Sequence, residues 1–263
     1  FEQREFTSQF EAAERLAEKY QLTRSDTDNF GLQSQTRAKT AIENGHFDSQ
    51  IIAIEAPERD DDFERTDTML SVSRDEVPRD TSLEALAGLK SVAREDGVHT
   101  AGTSSQIADG AAAVLMMSAS KAQALGLTPV AIIRASALVG CDPVMMLEGP
   151  IPATEKMLKQ TGLDIGDIDV FEINEAFAMV TMLATKELDL DPSKVNIHGG
   201  ACAQGHPIGS TGSRIIISLM YALKKTGGKK GIAALCIGGG EASKIGAVTD
   251  GIDAVGDLSK KVM

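Results

Sequence analysis

Hydrophobic positions along the chain follow two regimes. Near the start, Phe10, Ala13, Leu16, Ala17 and Tyr20 recur at the spacing of one helix face. Thr23 or Ser25 then stands as a cap, which predicts a second helix holding Phe30, Leu32, Ser34 and Ala38. Ile51-Ile52-Ala53-Ile54 is a short strand candidate. Asp60-Asp61-Asp62 lies in a mostly charged stretch and reads as a solvated loop, because no glycine or spaced oxygen ligands frame a cation loop there. From Pro129 the pattern alternates. A strand opens at Pro129-Val130-Ala131-Ile132-Ile133 and ends near Gly140, and a helix follows over 151–161. Ile168–Ile173 is a strand, 176–187 a helix and Val195–His198 a short strand. A helix runs from Gly209 to about Leu223, Gly231–Cys236 is a buried strand, and Lys244–Val248 a last strand. The order β-α-β-α-β-α-β-β predicts an α/β layered sheet whose final pair is antiparallel. No tandem repeat is visible.

Composition narrows the function classes. With 42% apolar and 24% charged residues the chain can bury a core. It has no apolar run of the ~18 residues that a membrane helix needs, and no cationic, apolar leader opens it. A net charge of −12 argues against nucleic-acid binding. Three cysteines make no disulfide framework, so reduced thiols and a cytoplasmic location are expected. Little aromatic surface, no Trp and 25 glycines suit a small-molecule enzyme. Acidity is uneven: residues 1–100 carry 22 Asp+Glu against 12 Lys+Arg, residues 101–263 only 16 against 14. That places a boundary near the run Thr100–Ser105. Phe1 opens the chain inside an apparent helix, so processing or a longer parent sequence is expected.

Three polar clusters follow strands, where open α/β sheets place their sites. They are Asn174-Glu175-Ala176-Phe177, Gly205-His206-Pro207-Ile208-Gly209 and Cys236-Ile237-Gly238-Gly239-Gly240. A Gly-His-Pro turn before a helix fixes an imidazole at the positive helix end, which suits a neutral His that takes a proton or donates to an oxyanion. A helix-capping His explains His206 equally well taken alone; the glycines around it favour catalysis. Cys236 is read either as a small core residue or as a thiol facing an N–H nest at Gly238–Gly240, and the glycine run favours the second. Asn174 orients a water or carbonyl, or forms a turn; Glu175 is a base or a structural anion. Cys141 reads as a packing residue. The turn after Cys202 aims it away from His206. His198 is placed to line the site, while His46 and His99 have no partners in sequence. No Cys-x-x-Cys or His-x-x-x-His spacing supports zinc.

Taken together, the three clusters resemble the C-terminal motifs of thiolases, with His198-Gly199-Gly200-Ala201 leading into the second. Their separations, 32 residues from Asn174 to His206 and 30 from His206 to Cys236, suit that family. Upstream, Ala17-Glu18-Lys19-Tyr20, Ser34-Gln35, Gly45-His46-Phe47, Thr100–Ser105, Asp109–Ala113 and Gly149–Ala153 look like thiolase segments too. The resemblance implies a thiolase-like fold with a layered α-β-α C-terminal half over 129–263. Residues 1–106 then correspond to a mostly helical or irregular loop domain, and 107–128 to the end of the N-terminal half. It also implies that the rest of that half, with the nucleophilic Cys, is absent from this chain.

The resemblance further implies an acyltransferase of fatty acid metabolism. It would condense two acetyl-CoA to acetoacetyl-CoA or cleave a 3-ketoacyl-CoA with CoA. His206 corresponds to the residue that activates the nucleophile and, with a water on Asn174, holds the thioester oxyanion. Cys236 corresponds to the acid/base at the α-carbon, and Gly238 offers an N–H to a second oxyanion hole. Ser105 and Ala101 look like pantetheine contacts, and Met146 and Phe177 like pocket walls. The expected partners are acyl-CoA and CoA, with no cofactor beyond that thioester substrate and no metal. No nucleic acid or membrane is expected, and the assembly is a homo-oligomer or a complex with the missing half. The competing reading is a non-catalytic acyl-CoA-binding or scaffold subunit. A ketoacyl-synthase relative is disfavoured, since those enzymes use His–His or His–Asn where Cys236 stands.

Overall fold

In the computed structural model the described residues are Glu5 and residues 7–248; the part of the expected C-terminal half over 249–263 lies outside them. Helix α1 (Gln9–Tyr20) starts where Ser8 accepts the Glu11 N–H, and buries Ala12, Ala13, Leu16 and Ala17. Phe10, expected on that face, is half exposed and meets Phe177 edge-on at 5.4 Å. Helix α2 (Arg24–Glu43) opens on a reciprocal box between Thr23 and Asp26, which selects Thr23 over Ser25 as the cap. Its buried stripe is small and polar: Thr27, Gly31, Ser34, Gln35 and Ala38. A Cβ on Gly31 would stand 2.6 Å from the Gly102 carbonyl, so glycine is required where α2 meets the Thr100–Thr103 turn.

Strands β1 (Ile54–Arg59) and β2 (Arg65–Val72) form an antiparallel hairpin. The strand expected at 51–54 therefore begins at its last residue. The triple aspartate is its turn: Asp60 Oδ1 accepts the N–H groups of Asp62 and Glu64 at 3.0 and 2.9 Å. Two short helices follow, α3 (Leu83–Ala87) and α4 (Ala119–Ala124). Between them, Ile107, Leu115 and Met116 stand exposed.

The remaining elements build the main sheet. They are β3 (Ile132–Gly140), α5 (Pro150–Thr161), β4 (Val170–Ile173), α6 (Ala178–Glu187), α7 (Ala201–Gln204), α8 (Thr211–Thr226), β5 (Lys230–Ile237) and β6 (Glu241–Val248). Strand order is β3-β6-β5-β4; β4 and β5 are parallel, and β6 is antiparallel to both neighbours. The expected α/β layering and antiparallel final pair are observed. Alternation sends Phe171, Ile173, Ile232 and Ala234 into one core with Met157, Met179 and Leu183. Val170 and Ala233 face the other way, onto Ile215, Leu219 and Leu223 of α8. Gly231 is needed there, because a Cβ would lie 2.6 Å from Leu219 Cδ1.

The strand expected over Val195–His198 reduces to one bridge, Phe171 to Val195. The cause is Asn196, which turns to φ +45°. Its side chain then replaces the backbone ladder: Oδ1 accepts the Ile173 N–H and Nδ2 donates to the Ile173 carbonyl, both at 2.8 Å.

Candidate active site

The parallel pair β4/β5 brings the first two candidates together. Ile173 is paired with Ala234, so Asn174 and Cys236 both lie at the C-terminal ends of adjacent strands. The Asn174 N–H donates to the Ala234 carbonyl at 2.9 Å. The Asn174 side chain is buried, and neither Oδ1 nor Nδ2 has a protein partner. A buried amide without partners is costly unless a water or ligand completes it. The amide has the donor and acceptor with which to hold a water or another polar molecule.

An irregular segment, residues 103–106, is held through isolated bridges on either side. The Ala178 N–H donates to the Thr103 carbonyl at 2.8 Å, and the Ser105 N–H to the Ala176 carbonyl at 3.0 Å. On the other side of the same segment, the His206 N–H donates to the Gln106 carbonyl at 2.7 Å. Residues 103–106 thus stitch the Asn174 loop to the His206 loop. Ser105 sits beside the Asn174 loop, while Ala101 is the exposed residue of the Thr100–Thr103 turn, whose two threonines are buried.

His206 is half buried. Gly205 before it has φ +78°, and a Cβ there would strike Ala108 at 2.9 Å. Its Nδ1 is 2.7 Å from Thr211 Oγ1. Burial holds the imidazole below its usual pKa, and the neighbouring Arg214 charge adds to this. Both causes favour the neutral imidazole expected from the sequence, and the ring rests on Thr211, the first residue of α8.

Cys236 is half buried, and the protein around it pushes its thiol up to about 12. Gly238–Gly240 form the β5/β6 hairpin turn. Gly239 and Gly240 need φ of +91° and +88°, so part of the glycine run serves the turn itself. Gly238 has an ordinary φ, and the atom nearest to where a Cβ would stand is the movable end of the Gln9 side chain. Met146 is buried at φ +30°, in the loop whose Cys141 N–H donates to the Gly240 carbonyl at 2.6 Å. Phe177 is buried between Phe10 and His99.

Other candidates fall outside this cluster. Glu175 takes a structural place: its carboxyl accepts from Ser34 Oγ, Asn196 Nδ2 and the Cys202 N–H at 2.7, 2.8 and 3.0 Å, and these bonds offset the burial that raises its pKa. Cys202 is buried against it, away from His206. His99, partnerless in sequence, meets Glu14 at 3.2 Å. His198 is paired with a second histidine: its Nε2 lies 2.9 Å from His46 Nδ1. Burial and the second imidazole hold it down at about 4. A histidine with a folded pKa below its unfolded 6.5 binds fewer protons when folded between those values. Its contribution is full above about 6.5 and is lost as pH falls to about 4. Thermal melts are expected to lose on the order of 2–3 kcal/mol from this source across that window. The variant His198→Gln should flatten the slope; an unchanged slope would refute the assignment.

Sequence reasoning missed two buried ionisable groups, Arg214 and Glu172. Arg214 donates to Gln204 Oε1 at 2.8 Å and to the Gly205 carbonyl at 3.2 Å. Glu172 is pushed up to about 8 by burial, partly offset by Arg214. A lone arginine before Ile215-Ile216-Ile217 is the only sequence signal. Among the described residues no group of three or more His, Cys, Asp or Glu is arranged to hold a metal ion.

Comparison with known proteins places this geometry. The family domain described as "Thiolase, N-terminal domain" matches residues 7–120, and "Thiolase, C-terminal domain" matches 127–248. An acetyl-CoA acetyltransferase of Pseudomonas aeruginosa is 46% identical over 230 residues, covering 87% of this chain and 57% of that protein. One from Chromobacterium violaceum is 45% identical over 229 residues, with the same coverage. The crystal structure of the Bacillus anthracis acetyl-CoA acetyltransferase aligns with TM-score 0.87 at 44% identity, covering 92% of this chain and 60% of that one. Human mitochondrial 3-ketoacyl-CoA thiolase in complex with CoA aligns with TM-score 0.82 at 39% identity, over 90% and 57%. The chain thus spans about 57% of the length of the curated relatives it matches. The match at 7–120 overturns the expectation that the N-terminal half is absent. The inferred missing nucleophile region, which rested on that absence, loses its support. On the two domain matches and these relatives, the chain belongs to the thiolase family.

Proposed function

We propose that the protein acts as a thiolase, joining two acetyl-CoA molecules into acetoacetyl-CoA or cleaving a 3-ketoacyl-CoA with CoA. The observation that carries this reading is the buried Asn174 amide without partners, on the strand end next to that of Cys236 and stitched to the His206 loop. A water on that amide, with His206, would hold the oxyanion of a thioester under attack. His206, kept neutral, accepts the proton of an attacking thiol. Cys236 stays protonated at neutral pH and so gives its proton to the α-carbon when the carbon–carbon bond breaks. In condensation it takes that proton back. The Gly238 N–H is assigned to the enolate oxygen, Ser105 and Ala101 to the pantetheine arm, and Met146 and Phe177 to the walls around the acyl group. The relatives named as acetyl-CoA acetyltransferases support an acetyl-sized substrate.

The test is thiolysis of acetoacetyl-CoA by the purified protein, followed by mass mapping of the acyl-enzyme. Turnover that His206→Ala removes is the expected result. Tight CoA binding without turnover or acyl-enzyme would instead favour the scaffold reading.

A further inference from the structure

A histidine serves as a base only through a ring nitrogen that keeps its lone pair. Which nitrogen of His206 does so is decided by the contact at the other one. Nδ1 lies 2.7 Å from Oγ1 of Thr211, the fully buried first residue of α8. The same hydroxyl stands 3.0 Å from the Pro207 carbonyl. Among the described residues, the His206 Nε2 has no hydrogen-bond partner.

A hydroxyl carries one proton, and a carbonyl only accepts. If Nδ1 is protonated, it donates to Oγ1, and the hydroxyl proton passes on to Pro207. Both contacts are then hydrogen bonds. If Nδ1 is bare, the hydroxyl must donate to it. The 3.0 Å contact then sets lone pairs of two buried oxygens against each other. The Ser210 and Thr211 N–H groups also point at that carbonyl, at 2.8 and 2.9 Å, and the Ser210 hydroxyl at 3.3 Å. The Thr211 hydroxyl makes the shorter of the two hydroxyl approaches to this carbonyl, and its proton is directed there.

We propose that Thr211 is a positioning residue that locks His206 in the Nδ1–H tautomer, leaving Nε2 as the proton acceptor. Arg214, on the same helix, is the charged group whose field reaches the ring, and it opposes a second proton. The catalytic use of this tautomer rests on the thiolase reading; the tautomer itself does not.

The experiment separates the two. Protein labelled with ¹⁵N-histidine is examined at pH 8 by long-range ¹H–¹⁵N correlation, with His206→Gln assigning the signal among the four histidines. The expected spectrum has a protonated Nδ1 and a bare Nε2. Thr211→Ser should keep it. Thr211→Val should shift His206 to the Nε2–H form and lower acyl transfer on the order of 10²-fold, the scale of a lost general base; the serine variant should restore most of the rate. An Nε2–H tautomer in the unaltered protein overturns the proposal, even if the valine variant fails to fold. So does a valine variant with unchanged tautomer and rate. A locked Nδ1–H tautomer in a protein without turnover would leave this inference standing and remove the thiolase reading.

Discussion

Cys236→Ser is expected to lower acetoacetyl-CoA cleavage and acetyl-CoA condensation on the order of 10²–10⁴-fold, the usual share of general acid/base catalysis. Acetyl transfer from acetyl-CoA to the enzyme should survive. The two steps differ in what they ask of the site. Attack on a thioester needs a nucleophile, the His206 imidazole and the oxyanion position beside Asn174. Moving a proton at the α-carbon needs a second group, and a serine hydroxyl is a far weaker acid than a thiol. His206→Ala should impair both steps, which radioactive acetyl-CoA labelling separates from the cysteine variant. The surroundings also speak on a rival role for Cys236. A nucleophilic cysteine works as thiolate, favoured by cations or helix N-termini. Here the thiol is pushed up to about 12, with burial as the main cause and Cys141 adding to it. Such a group holds its proton, which suits a donor and not a resting nucleophile. Loss of acyl-enzyme in Cys236→Ser as complete as in His206→Ala, in a folded protein, would reverse this assignment.

Much of the sheet was legible because β4 and β5 are buried, with near-continuous apolar runs bounded by glycine and polar turns. The three site clusters were legible for the same reason: each follows a strand or helix whose end the pattern marks. What sequence pattern could not reach was direction. Cys202 and His206 are four residues apart, yet one is buried against Glu175 and the other rests on Thr211. His198 lies in a site-like motif but pairs with His46, which is 152 residues away. The β1/β2 hairpin escaped because β2, Arg65–Val72, is polar and mostly exposed, without the alternation that a half-buried strand writes into its sequence. The buried ionisable groups were hidden too. Glu172 interrupts an otherwise apolar strand, and nothing local announces that the field of Arg214 reaches it.

The largest effect on stability is expected at Glu175, whose role the sequence left open between base and anion. Its carboxylate is 1% exposed and ties three separate elements to the loop carrying Asn174. Ser34 donates from α2, Cys202 from α7 and Asn196 from the turn after β4's neighbouring bridge. Glu175→Ala strands all three donors in the interior. Each unmade buried hydrogen bond costs about 1–3 kcal/mol, not additively, and breaking a buried charged network costs about 3–5 kcal/mol. For a chain of this size that lowers the melting temperature by on the order of 10 °C. Glu175→Gln is the sharper test. A glutamine keeps one oxygen for Ser34 and Cys202 but turns its NH₂ toward Asn196 Nδ2, donor against donor. Flipping the asparagine would relieve that clash only by breaking its two bonds to Ile173. The glutamine variant should therefore fall between wild type and alanine, by about 1–3 kcal/mol. Because Asn174 is the adjacent residue, both variants should also weaken acyl transfer before they unfold the protein. An alanine variant melting within about 2 °C of wild type would mean that these donors find other partners, and that Glu175 does not hold the loop.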